Sequence, residues 1–145
     1  MKQKNKILLI IIIVLLAING YNYLLPAFSK TEKDLQNINF DIAINSDELI
    51  ASFIKDEKQS NNFYAEKIIE ITGFVKEVTF LNNRNTVILY GKQKDFGIIC
   101  DTHPSQINKI KSLKEHQKIK VKGICKGFLK DVILLNCYIE TNLDE

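Results

Sequence analysis

Twelve consecutive residues near the start of the chain, from Ile7 to Ile18, carry no polar side chain, and Lys2, Lys4 and Lys6 stand in front of them. Such a run has no polar face to offer water, so it cannot belong to the surface of a soluble domain. With Tyr21, Tyr23, Leu24 and Leu25 it reaches about 19 residues, enough to cross a hydrocarbon core of roughly 30 Å with tyrosines at the interface. A basic start before an apolar stretch is also the layout of a cleaved secretory signal. No small-x-small cleavage site stands out in Ala17-Ile18-Asn19-Gly20, and no cysteine lies nearby for lipidation. The expectation is a transmembrane helix that opens at Ile7 and closes at Leu25, with a cleaved signal as the alternative. Lysines on the short N-terminal flank keep that side cytoplasmic, which places the remainder on the extracytoplasmic side of a single-pass membrane protein.

Composition divides the chain into three parts. Residues 1–25 form the anchor or signal segment, and residues 26–45 mix charged and polar side chains with scattered apolar ones, the pattern of a tether with little to bury. Residues 46–145 are enough for one modest hydrophobic core and too few for two. The formal charge of +3 comes entirely from the three lysines before the apolar run, because from Ser46 onward 15 Lys or Arg face 14 Asp or Glu. A nearly neutral domain argues against nucleic acid as partner, since phosphate binding draws on a basic surplus.

Ser46, Asp47 and Glu48 suit the start of a helix whose apolar stripe is Leu49, Ile50, Phe53 and Ile54, with Ser46 as its cap and residues 58–62 as its end. From Lys67 the period falls to two. Ile69, Ile71, Gly73 and Val75 share one face, while Glu70, Thr72, Phe74 and Lys76 share the other. Gly73 in mid-strand suggests a bulge. Two further strands, residues 86–90 and 96–100, complete a meander. Pro104 opens a short helix with Ile107, Ile110 and Leu113 inward. A strand from Lys118 alternates lysines with Ile119 and Val121 and brings Gly123 and Cys125 inward. A turn across residues 127–130 precedes the last strand, residues 131–140, with Ile133, Leu135, Cys137 and Ile139 expected on one side.

Five short strands with a helix between the third and the fourth make a mainly β protein with flanking helices: a five-stranded OB-fold barrel, preceded by a helix and the N-terminal transmembrane helix. In that barrel the fifth strand lies between the third and the fourth, so Cys137 has Cys100 on one side and Cys125 on the other. A disulfide between Cys125 and Cys137 and three reduced core thiols are both compatible with that layout.

Two stretches resemble a known family. One runs from Tyr64 through Thr72-Gly73. The other holds Gly123-x-Cys125-x-Gly127 and then Asp131-Val132-x-Leu134-x-x-Cys137. They are similar to the bacterial OB-fold family called tRNA-anticodon-binding-like, of the Bacteroidetes type, and the likeness extends from Ser46 to Ile139. His116 stands where that family places a turn glycine. The resemblance implies a nucleic-acid-type barrel and supplies no catalytic residues.

Chemistry is sparse. His103 after Asp101 reads as part of a helix cap, Glu66, Glu70 and Glu77 as solvent-side charge pairing, and the histidines and cysteines have no zinc-like spacing. No enzyme activity, cofactor or metal is expected. The candidate binding surface comprises Arg84, Tyr90, Lys92, Phe96, Lys118, Lys120 and Lys122, which could track a phosphate backbone or an acidic partner. Tyr90 and Phe96 give a thin stacking platform. The expected function is therefore a membrane-tethered extracytoplasmic binding module for an envelope protein, peptide or glycan, with single-stranded nucleic-acid binding as the alternative.

Overall fold

The computed structural model describes Val14 and residues 35–81, 84–92 and 95–141. Apart from Val14, the expected anchor and the first part of the tether, residues 26–34, lie outside the described residues. Among the described residues no helix is long and apolar enough to cross a membrane. The chain divides into compact units Met1–Lys33 and Asp34–Glu145, and the second carries the sheet.

A 3-10 turn at Leu35–Asn37 leads to β1 (Ile42–Asn45), α1 (Ser46–Lys55), α2 (Glu57–Tyr64), β2 (Ile68–Leu81), β3 (Arg84–Tyr90) and β4 (Gly97–Thr102). A second 3-10 turn at Pro104–Gln106 precedes α3 (Ile107–Lys111), β5 (Lys118–Leu129) and β6 (Asp131–Glu140). Period two is obeyed along β2: Ile69, Ile71, Gly73 and Val75 are buried, while Phe74 is exposed. β2 is long enough to serve two partners. Its first half pairs with β5, from Ile68↔Ile124 to Phe74↔Lys118, and its second half with β3, from Val75↔Leu89 to Leu81↔Arg84. β3 then pairs antiparallel with β4, β4 runs parallel to β6, and β6 pairs antiparallel with β5. The circuit β2-β3-β4-β6-β5 returns to β2, so five strands close a mixed barrel, the OB-fold.

Side chains of every strand fill the interior. α1 contacts β1, β2, β3, β4 and β6, and places Leu49, Ile50 and Phe53 in the same core as Val87, Leu89, Ile98, Ile119, Val121 and Ile139. The Phe53 ring lies 5.8 Å from that of Tyr64 and 5.6 Å from that of Phe128. Each such pair adds about 0.5–1.5 kcal/mol to the gain from burial alone.

The fold corrects several expectations. The stretch taken as tether is part of the domain from Leu35 onward: Leu35 is fully buried, and β1 adds a parallel strand to β2, from Ile42↔Ile69 to Asn45↔Thr72. Asp41 secures it, because its backbone N–H donates to Ile68 O at 2.8 Å and its carboxylate accepts from Ile68 N–H at 2.9 Å. The helix does not stop before residue 62. It breaks at Asp56, whose side chain accepts from Gln59 N–H at 2.9 Å and so caps α2 as a new helix. Asn45, not Ser46, holds the cap position of α1, and its side chain makes no capping bond.

Gly73 marks no bulge. The irregularity lies between Val75 and Glu77, and a Cβ on Gly73 would stand 2.9 Å from Ser46 Oγ, so glycine is there to let the start of α1 approach. In β6 the expected inward set changes phase: Val132 and Leu134 are buried and Ile133 and Leu135 face outward, until Asn136 at φ 55° shifts the alternation and returns Cys137 and Ile139 to the core. One left-handed residue accounts for the change, since period two survives only while the ladder is regular.

Candidate functional site

β1 stops opposite Thr72, and β3 resumes the same edge of β2 at Val75, which leaves Gly73 and Phe74 without a strand partner on that edge. Over this gap lies a groove of about 650 Å³. One wall is the first turn of α1 with Asn45 before it: Ser46, Asp47 and Glu48. The rest of its lining is Thr72, Gly73 and Phe74 of β2, Tyr90, Gly91 and Lys92 at the end of β3, His116, and Lys118 at the start of β5. Phe74 is 49% exposed, an aromatic ring in the wet phase of its strand.

The Tyr90 side of the groove is held rigid. The Tyr90 ring stacks on the His116 imidazole at 5.2 Å with 4° between planes, and its hydroxyl donates to Glu115 Oε1 at 2.7 Å. His116 Nε2 lies 3.5 Å from the same carboxylate oxygen. The hydrogen bond to Glu115 pushes the Tyr90 hydroxyl above its ordinary pKa, with smaller contributions from burial and from the carboxylate's charge. His116 adopts φ 65° and donates its N–H to Val75 O at 2.7 Å, so it fills the glycine-like turn position and supplies a ring to the groove at once.

The expected surface residues separate into two sets. Tyr90, Lys92 and Lys118 meet in the groove. The others do not. Arg84 sits at the start of β3, 3.8 Å from Asp101, and Phe96 packs against the core with its ring 6.0 Å from Phe128, which removes it as a stacking platform. Lys120 lies 3.4 Å from Glu70. Lys122 donates to the carbonyls of Gln36 at 3.1 Å and Ile38 at 3.0 Å, tying the N-terminal turn to the barrel. Lys109 likewise donates to Ile139 O at 3.0 Å, and Lys126 to Glu66 at 2.8 Å.

The three cysteines are buried free thiols, and no bond joins Cys125 to Cys137. Bulged pairing of β5 with β6 is the reason: Cys125 faces Leu134, three residues short of Cys137. Cys137 instead lies near Cys100 in the core, and the Cys100 thiol donates to Ile98 O at 4.0 Å. Burial first, then the neighbouring Cys100 thiol, drives the Cys137 thiol well above the usual pKa. His103 accepts from Ser105 N–H at 3.2 Å and caps the turn at Pro104. Among the described residues no group of three or more His, Cys, Asp or Glu side chains is placed to hold a metal ion.

Sequence reasoning missed Phe74, Asp47, Glu48 and Glu115. The signal for Phe74 was present, because an aromatic ring stood in the polar phase of a strand.

A family model, tRNA_anti-like, matches residues 1–139. The chain belongs to the tRNA_anti-like family. A crystal structure described as that of a candidate nucleic acid-binding lipoprotein from Klebsiella pneumoniae matches this tRNA_anti-like chain with TM-score 0.56 and 9% identity, over 68% of this chain and 92% of that one. The likeness establishes the fold. Weaker matches include the S. pombe Stn1–Ten1 complex, at TM-score 0.44 and 15% identity over 53% of this chain and 59% of that one. Another is the asparaginyl-tRNA synthetase of Pyrococcus horikoshii, at TM-score 0.44 and 13% identity over 55% of this chain and 20% of the enzyme. No curated protein matches.

Proposed function

We propose that this OB-fold module is held on the extracytoplasmic face of a membrane by its N-terminal apolar segment and binds an envelope protein, peptide or glycan in the groove beside β2, without catalysing a reaction. The observation that carries the reading is the fate of the lysines between residues 109 and 130. Lys120 and Lys126 are paired with carboxylates, and Lys109 and Lys122 are bonded to main-chain carbonyls. With four of the eight lysines engaged within the fold, the stripe offers less to a phosphate backbone, whose affinity depends on many released counterions. The groove also sets Asp47 and Glu48 beside its two lysines.

A second reading, single-stranded nucleic acid, draws on Phe74 and Tyr90 lying close to Lys92 and Lys118, since rings and ammonium groups together suit stacked bases. Nucleic-acid binding is also what the Klebsiella lipoprotein is described as doing. Retention of labelled single-stranded DNA and RNA across a salt series separates the two. The envelope-ligand reading expects no retention at low salt. Tight retention that falls steeply as salt rises replaces it with the nucleic-acid reading. Crosslinking in intact envelopes, wild type against Phe74→Ser, is expected to lose its captured species in the variant, and an unchanged pattern removes the groove as the site.

A further inference from the structure

We infer that the groove takes a peptide segment in which a carboxylate and a cation flank an apolar side chain. This rests on the binding reading above and narrows it to one ligand class.

The first observation is the division of charge. Lys92 and Lys118 stand on the β3 and β5 side, and Asp47 and Glu48 on the α1 side. Among the described residues none of the four takes part in an ion pair. A ligand of one sign is drawn to one wall and repelled by the other. A ligand bearing both signs meets its complement on each, and pairs that form as water leaves the groove are stronger than the same charges apart in solvent. Between the walls Phe74, 49% exposed, offers the apolar floor for a central side chain.

The second observation concerns hydrogen bonding. Ser46 is 5% exposed as a residue and lines the groove, and its hydroxyl oxygen is the part of it that reaches the groove's water. It stands over Gly73, where any Cβ would approach its oxygen to 2.9 Å. That oxygen is placed to accept from a main-chain amide of the ligand in exchange for water.

The third observation selects peptide over sugar. The ladder along this edge of β2 is interrupted between Thr72 and Val75, and the first-turn N–H groups of α1 lack a side-chain cap. The gap is two residues long and Ser46 covers Gly73, so what a peptide can add there is a single main-chain contact beside Phe74, which a sugar lacks.

The test uses the full chain in detergent micelles and fluorescence anisotropy of labelled, end-blocked decapeptides in a Gly/Ser background. Their centres are Glu-Leu-Lys, Lys-Leu-Glu, Glu-Leu-Glu and Lys-Leu-Lys, and a neutral labelled hexasaccharide is added. One of the two bipolar peptides is expected to bind at least tenfold more tightly than either single-sign peptide. Lys118→Glu is expected to weaken it about tenfold, and the swap Lys118→Glu with Asp47→Lys to recover most of the loss. Circular dichroism of each variant checks that the barrel is intact. Equal binding of bipolar and single-sign peptides overturns the inference. So does binding of the hexasaccharide alone, but if Phe74→Ser abolishes that binding the groove stays a recognition site and the broader reading stands. If Phe74→Ser and Lys118→Glu change neither peptide binding nor crosslinking in envelopes, both readings fall.

Discussion

Replacing Gly123 with alanine tests how tightly β5 and β6 are fitted. A Cβ at that position would lie 2.6 Å from Cys137 Sγ, 3.2 Å from Leu135 O and 3.3 Å from Leu134 Cβ. All three contacts are too short, and one is backbone, so the strands must part or Cys137 must move. Cys137 is fully buried and has nowhere to go. Overpacking of this kind costs about 1–3 kcal/mol, and the gain from alanine's lower chain entropy returns about 0.5–1, leaving a net loss of roughly 1–2 kcal/mol. For a unit of this size that lowers Tm by about 4–16 °C. Cys137→Ala alone removes one buried sulfur, at about 1 kcal/mol. In the double variant the worst contact is gone, so the combined loss should stay near 1 kcal/mol instead of reaching the sum of 2–3. Urea unfolding of residues 34–145, followed by far-ultraviolet circular dichroism, measures all four corners of the cycle. Losses that add within about 0.5 kcal/mol would refute the reasoning, because they would show that Gly123 and Cys137 are not in steric conflict.

His116→Gly should leave stability within about 1 kcal/mol, since relief of φ 65° offsets the lost stack on Tyr90, whereas His116→Val should cost about 2 kcal/mol or more; thermal melts of both decide it. Asp56→Ala should lose about 0.5–2 kcal/mol with the cap of α2, read by urea midpoint. The three buried thiols should react with a disulfide reagent at the rate of unfolding, and faster reaction of Cys137 would contradict its burial. The folded chain holds the Tyr90 proton more tightly than the unfolded chain, so this contribution is complete below pH 10 and lost as pH rises through the raised value. Tyr90→Phe should flatten that part of the alkaline stability profile, and an unchanged slope would count against the hydrogen bond to Glu115.

The barrel was legible because its signals are local. Alternation at Ile69, Ile71 and Val75 and Pro104 before a short helix each reflect the chain's own sterics and fall where expected, and the turn at His116 falls where the family resemblance implied it. The misses have two causes, an unseen neighbour across the fold and a local turn that no residue announces. A residue's neighbour across the sheet was unknown, so the gap between β1 and β3 was invisible, and with it the groove. Gly73 looked like a bulge because its reason, Ser46, lies 27 residues back and is brought over it by α1. Ile133 and Leu135 were placed inward because nothing in the sequence announces that Asn136 turns left-handed. Asp56 was overlooked as a cap because the polar run of residues 58–62 read as the end of one helix, not as part of a second.

The lysine stripe shows why charge counted along a sequence differs from charge offered at a surface. From Lys109 to Lys130 eight lysines face one acidic residue, Glu115, which on paper is a basic patch. The antiparallel register of β2 with β5 sets Thr72 opposite Lys120 and Glu70 opposite Lys122, so Glu70 sits diagonal to Lys120 and takes it as a partner. The N-terminal turn, folded back over β5, takes Lys122. Exposed pairs of this sort add at most about 1 kcal/mol each to stability, so their main consequence is for recognition. They engage Lys120 and Lys122 in the middle of the stripe, while Lys118, paired with Phe74 across β2 and β5, lines the groove together with Asp47 and Glu48. Half of the eight lysines are thereby engaged within the fold, and at the groove two lysines meet two carboxylates, so that site discriminates by the arrangement of charges on its ligand rather than by their number.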